Sequence, residues 1–202
     1  MLNIKKLKLL SFFFYSSICS LFSQSEINAH LFNFGVHRDP INLYVPNPCD
    51  LISALEIQTL LSLAEQSVLT KAANNPGDVK VKSCFYKWDD PSTPHAGMLL
   101  QIMTNPVYED SPEYISNMMQ SKLTQGETIP GSKNKLVFKE SMIGKVKVIY
   151  AKENSKIFWN IGDNYLLTLA FNITNLSETK LLDLANKIVP VVNKNLLAAL
   201  LK

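Results

Sequence analysis

Between Val146 and Ile173 three strand-like runs follow in close succession, VKVIYAK, KIFWNI and YLLTLAFNI. In the last, Tyr165, Leu167, Leu169, Phe171 and Ile173 fall on one face and Thr168 and Asn172 on the other, the period of two that a strand requires. Gly162-Asp163-Asn164 is a turn signal joining the last two runs as a hairpin. A chain that commits this much sequence to hairpin-linked strands commits to a sheet.

The segments around that run supply helices to cover it. Ser53 with Glu56 three residues on forms a capping-box pattern, and Ile57, Leu60, Leu61, Ala64 and Val68 continue at helical spacing, which predicts a helix from about Ala54 to Gln66. VKVKSCFYKW, from Val79, alternates and then shifts phase at Cys84, as a strand buried on both faces or carrying a bulge does. MLLQIMT follows after a proline-containing turn as its hairpin partner. Asp110, Pro112 and Glu113 open a second helix with Tyr114, Ile115, Met118, Met119 and Leu123 on one side, and QGETIPGSKNK reads as a loop. Ser177 caps a third helix with the stripe Leu181, Leu184, Ala185, Ile188, Val192 and Leu196, which Pro190 is expected to kink or split. Grouped helices with hairpin-linked strands predict an α+β domain: an antiparallel sheet of about five to six strands flanked by three helices.

The N-terminus has the layout of a secretory signal peptide: Lys5, Lys6 and Lys8, an apolar run to Ile18, and the small residue Ser23. A membrane anchor needs roughly 20 apolar residues, and Ile18 before Cys19 is not the small residue of a lipidation site, so no lipid anchor and no span after cleavage are expected. The expected organisation is a signal peptide over 1–24, an extended arm or linker over 25–48 broken by Gly35, Pro40, Pro46 and Pro48, and one α+β domain over 49–202. The expected address is periplasmic or extracellular.

Three of the twenty basic residues and none of the seventeen acidic ones lie in that leader, so the remainder is formally balanced at seventeen against seventeen. Nucleic-acid binding has no electrostatic support, and no polybasic run suggests an anionic membrane surface. The lysines at 133, 135, 139, 145 and 147 read as the solvated side of a sheet and its turns.

Two cysteines remain after the leader, Cys49 and Cys84. In an oxidising compartment an isolated pair is usually a disulfide. Cys49 near a helix start also has the position of a stabilised thiolate. A zinc site needs four ligands, whereas His30, His37 and His95 are scattered through loop-like sequence, so no metal or other cofactor is expected.

Catalytic signatures are sparse. No G-x-S-x-G elbow, P-loop or G-x-G-x-x-G occurs among seven singly spread glycines. The carboxylate pairs Asp89/Asp90 and Glu109/Asp110 sit where turns and helix starts favour acids. Asn172 and Asn175 head glycosylation-type triplets, read here as chance. Trp88, Met98, Met118, Phe158 and Trp159 are the candidates for an apolar pocket between sheet and helix, against the plainer role of filling the core.

NPCDLISALEIQTLL, then CFYKW, then IFWNIGDNYLLTLAFNI and the LLDLANKIV helix resemble small exported bacterial domains of unknown function that begin with a PCDLLT-x-x-E helix start and continue with a C-x-[WY] strand. The resemblance runs from about Pro48 to Val192. It implies a PsbP-like α/β/α sandwich with Cys49 and Cys84 joined, tying the first helix's start to the first main strand, and it carries over no catalytic residue. Many such domains are lipoproteins, from which this chain departs. The expected function is non-enzymatic binding of an envelope or extracellular protein or of an apolar small molecule. A carboxylate-based, hydrolase-like enzyme and a structural envelope component are the competing classes.

Overall fold

The computed structural model describes residues 43–63, 68–73, 79–89, 95–129, 131 and 134–201, all within the compact unit Ile41–Lys202. The expected signal peptide, His30, His37 and most of the expected arm lie outside the described residues. So do the turns at 74–78 and 90–94 and the expected helical tail at 64–66.

The elements run as a 3-10 turn at Pro48–Asp50, then α1 (Ala54–Leu61), β1 (Leu69–Ala72), β2 (Val81–Lys87), β3 (Gly97–Thr104), α2 (Tyr114–Gln125), β4 (Glu127–Thr128), β5 (Lys135–Leu136), β6 (Lys139–Ile143), β7 (Val146–Ala151), β8 (Lys156–Ile161), β9 (Tyr165–Asn172) and α3 (Glu178–Leu200). Seven strands form one sheet in the order β1-β2-β3-β9-β8-β7-β6, every neighbour antiparallel. Two meanders, β1 to β3 and β6 to β9, thus meet at the β3–β9 seam. The protein is an α+β domain.

Alternation along the strands divides the interior into two cores on opposite faces of the sheet. On one face Tyr86, Leu100, Trp159, Leu167 and Leu169 pack with Ile57 of α1 and with Leu181, Ala185, Ile188, Val192 and Leu196 of α3. On the other, Phe158, Leu166 and Ile149 pack with Ile115 and Met119 of α2 and with Leu136 of the β4–β5 hairpin. Helices therefore cover both faces, and among the described residues α2 is the only helix on the second.

The expected helix starts hold where side chains fix them. Ser53 and Glu56 close the capping box of α1, and Ser177 accepts from the Lys180 amide at the start of α3. Every residue of the predicted α3 stripe is buried. The helix runs unbroken through Pro190, which is exposed, so the expected split does not occur.

Three expectations are corrected. First, α1 ends at Leu61, not near Gln66, because Ser62 adopts a left-handed conformation (φ 58°) and its amide turns back to Gln58 and Thr59. Second, the sheet has seven strands, not five or six. The additions are the two edges: β1, four exposed residues between the expected helix and the turn at 74–78 that the sequence pattern leaves unassigned, and β6, which alternates weakly and carries charge. Third, β2 carries no bulge, since its pairing with β3 is continuous from Val81↔Met103 to Lys87↔Gly97. The expected loop 125–135 also contains the small β4–β5 hairpin.

Residues 43–47, placed by the sequence in the arm, lie against the sheet. Val45 is buried, its carbonyl accepts from Lys82 Nζ at 2.5 Å, and the Tyr44 carbonyl accepts from the Tyr165 hydroxyl at 3.0 Å.

Candidate functional site

Cys49 and Cys84 form a disulfide with Cα atoms 5.2 Å apart. It joins the 3-10 turn to the centre of β2, with Cys84 fully buried. Neither sulfur is a free thiolate, which removes Cys49 as a nucleophile. Closing a loop of 35 residues contributes about 4 kcal/mol in the chain-entropy account. The turn it fastens is also held through its carbonyls: Tyr86 Oη donates to Pro48 and Ile52, and Asn195 Nδ2 of α3 donates to Leu51 at 2.7 Å. A buried loop needs such partners for its backbone.

The five residues predicted to form a pocket are divided by the sheet. Trp88, Met98 and Trp159 belong to the core under α1 and α3, whereas Met118 and Phe158 belong to the core under α2. Of the five, Met98 also borders the open cleft described next.

That cleft, of about 770 Å³, lies over β1, β2, β3 and β9. Among the described residues, the second face is covered at one end and not at the other. The α2 layer packs over the end marked by Met103 and Leu166, and the opposite end, around Leu99 and Ala170, is the cleft. Its size falls within the usual range of small-molecule sites. Phe85 stands 47% exposed and Leu69 64% exposed on it, large apolar side chains that the core does not use.

The pairing registers align its side chains in rows across the strands. One row reads Lys71, Phe85, Leu99, Ala170 and Lys156, from β1 through β2, β3 and β9 to β8. The next reads Leu69, Lys87, Gly97 and Asn172. On the other side lies Ser83, Gln101 and Thr168, with Gln101 donating to the Ser83 hydroxyl at 2.9 Å. A side chain at Gly97 would strike the Tyr86 carbonyl oxygen at 2.6 Å, so that position stays bare and the trough stays low there. Among the described residues no Asp or Glu lines the cleft, and none forms an ion pair or hydrogen bond with the side chains of Lys71, Lys87 or Lys156. The site is an apolar strip with Lys71 and Lys87 at its β1–β2 end, and Lys156 continues the row one strand beyond the lining.

The carboxylates considered for acid–base chemistry are elsewhere. Asp89, Glu109 and Asp110 are exposed, and Asp90 lies outside the described residues. Two carboxyls are held below the usual range: Glu56 by bonds from the Ser53 amide and hydroxyl, and Glu178 by Lys139 and then the Tyr150 hydroxyl. Both sit at helix starts and explain themselves structurally. Among the described residues no group of three His, Cys, Asp or Glu side chains is placed to hold a metal ion, and no helix is long and apolar enough to cross a membrane. His95 ends the turn before β3 and its carbonyl accepts from Asn172 Nδ2 at 2.9 Å, so the amide nitrogen of the first glycosylation-type triplet is already engaged.

Phe85 is one of the aromatic residues that the sequence offers for an apolar pocket, whereas sequence reasoning missed Leu69, Lys71, Leu99 and Ala170 beside it. The phase shift at Cys84 was its signal: Phe85 is an apolar residue on the face that the α2 layer leaves open. Compared with family models, with curated proteins and with solved structures, the chain matches none.

Proposed function

We propose that the protein is an exported, non-enzymatic binding domain whose contact surface is the cleft on β1, β2, β3 and β9. The observation that carries this reading is the exposed pair Leu69 and Phe85 over a concave, apolar stretch of sheet. Contiguous exposed apolar surface of this kind marks binding sites. A structural envelope component needs no such cleft, and an acid–base hydrolase needs a carboxylate that the described cleft lining lacks. Export agrees with the basic, apolar N-terminal segment and with a disulfide, which oxidising compartments preserve. The resemblance to exported domains with a PsbP-like sandwich and a joined cysteine pair points the same way.

The test is the mass of the protein purified from its own cells, measured under native and under denaturing, non-reducing conditions, beside a Phe85→Asp variant. The reading expects a shortened, oxidised chain that carries a non-covalent adduct, and loss of that adduct in the variant. An adduct-free wild type, or one whose adduct ignores Phe85, would sink it.

A further inference from the structure

We infer that the cleft is the seat of a single-chain anionic amphiphile, a long-chain fatty acid in its carboxylate form. The inference rests on the binding reading above and names the ligand of that same site. Four strand steps of 4.7–4.9 Å make the row from Lys71 to Lys156 roughly 19 Å long, with apolar Phe85, Leu99 and Ala170 between the two lysines. The strip is about one acyl chain wide, because polar Gln101 and Thr168 border it on one side and bare Gly97 with Asn172 on the other.

The head end is set by charge. Lys71 and Lys87 occupy diagonal positions on the paired strands β1 and β2, since Lys71 faces Phe85 and Lys87 lies two residues further along the same face. Diagonal neighbours in a sheet lie about 7–8 Å apart between backbones, within reach of long side chains. Neither ammonium group has a carboxylate partner among the described residues, and a ligand carboxylate at this end of the strip would satisfy both. The lysine stems can extend the apolar wall while their heads stay in water. The same unpaired cations disfavour a second copy docking face to face, which would oppose lysine to lysine.

The experiment is a native-mass titration of the full mature chain with oleate and with oleyl alcohol, which differs in lacking the carboxylate. Wild type, Lys71→Gln/Lys87→Gln and Phe85→Asp are compared. The wild type is expected to bind one oleate at least 10-fold more tightly than the alcohol. The lysine variant should bring oleate down to the level of the alcohol without changing alcohol binding, and Phe85→Asp should lose both. Ala170→Leu, which raises the floor of the trough, provides a second block should Phe85→Asp fold poorly. Equal affinity for acid and alcohol, oleate binding that survives both blocks, or binding only to phosphatidylglycerol vesicles would overturn the inference. Failure with oleate while the cellular adduct remains Phe85-dependent removes the fatty acid and keeps the cleft. Failure of both removes the binding reading as well.

Discussion

The hydroxyl of Tyr86 donates to the carbonyl oxygen of Ile52 at 2.8 Å, two residues along β2 from the cysteine that anchors the same segment covalently. Tyr86 and Cys84 share a face of the strand, so bond and bridge hold residues 48–52 against the sheet as one unit. Tyr86→Phe leaves a buried carbonyl short of its donor and is expected to cost about 1–2 kcal/mol. Replacing both cysteines by serine is expected to cost about 4 kcal/mol. In the cysteine-free background the segment is already loosened, so Tyr86→Phe should cost less than it does in the wild type. Urea unfolding of the four proteins measures the coupling. Strict additivity would mean that the two fastenings act on separate units.

Burial raises the Tyr86 phenol above its ordinary value, helped by the negative charges of Asp50 and Glu56. A phenol held neutral in the fold keeps its full contribution below the unfolded value near 10, and that contribution is lost as pH rises beyond it. Tyr165 is raised by burial, and Tyr150 first by its bond to Glu178. Between pH 8 and about pH 10 stability should therefore be flat, and it should fall above that. The fall should be shallower in Tyr86→Phe, measured by denaturant midpoints between pH 8 and pH 11.

At the acid limb Glu56 and Glu178 both contribute, and the Glu178 carboxylate accepts from Lys139 Nζ at 2.8 Å and from the Tyr150 hydroxyl at 2.6 Å. These bonds hold its carboxyl below the usual range, Lys139 first. The stabilisation is present above the unfolded value and is lost as pH falls through the lower, folded one. Because the site is open to solvent, the loss is expected to be small and to shrink with added salt. Glu178→Gln should flatten this part of the pH–stability curve, and a curve unchanged in the variant would show that the contact contributes nothing.

Much of this fold is written in local pattern. The α3 stripe, the β8–β9 hairpin and the α1 cap each rest on residues within a few positions of one another, where periodicity and capping chemistry act directly. The edges β1 and β6 are not written that way. Leu69 to Ala72 bury no side chain, and β6 buries only Ile143, so neither shows alternation against solvent. Their pairing comes from neighbours already in place. The candidate site is harder still, since Lys71, Phe85, Leu99, Ala170 and Lys156 sit on five strands and meet only through register. The sequence shows Phe85 as an oddity in β2, and only the sheet order makes a row of it. Trp88 and Trp159, conspicuous in the sequence, are buried against α1 and α3 instead, because large aromatics serve core and pocket alike.

The start of α2 shows how a local reading can find an element and miss what holds it. Asp110, Pro112 and Glu113 mark the right place, but the helix begins at Tyr114 with Glu113 at the cap position and no side-chain bond from it. The cap comes from Asp163, in the turn between β8 and β9, which accepts from the Ser116 amide at 3.3 Å and from the Ser116 hydroxyl. A carboxylate at a helix N-terminus satisfies an orphan amide and opposes the helix dipole. This bond spans 47 residues and ties α2 to the β8–β9 turn. Asp163→Ala is expected to cost about 1 kcal/mol, while Asp110→Ala, on an exposed turn, should stay within about 0.5 kcal/mol. Amide exchange should report the loss first in α2 and the β4–β5 hairpin and leave α3 protected. Equal effects of the two substitutions would return the capping role to the local acids.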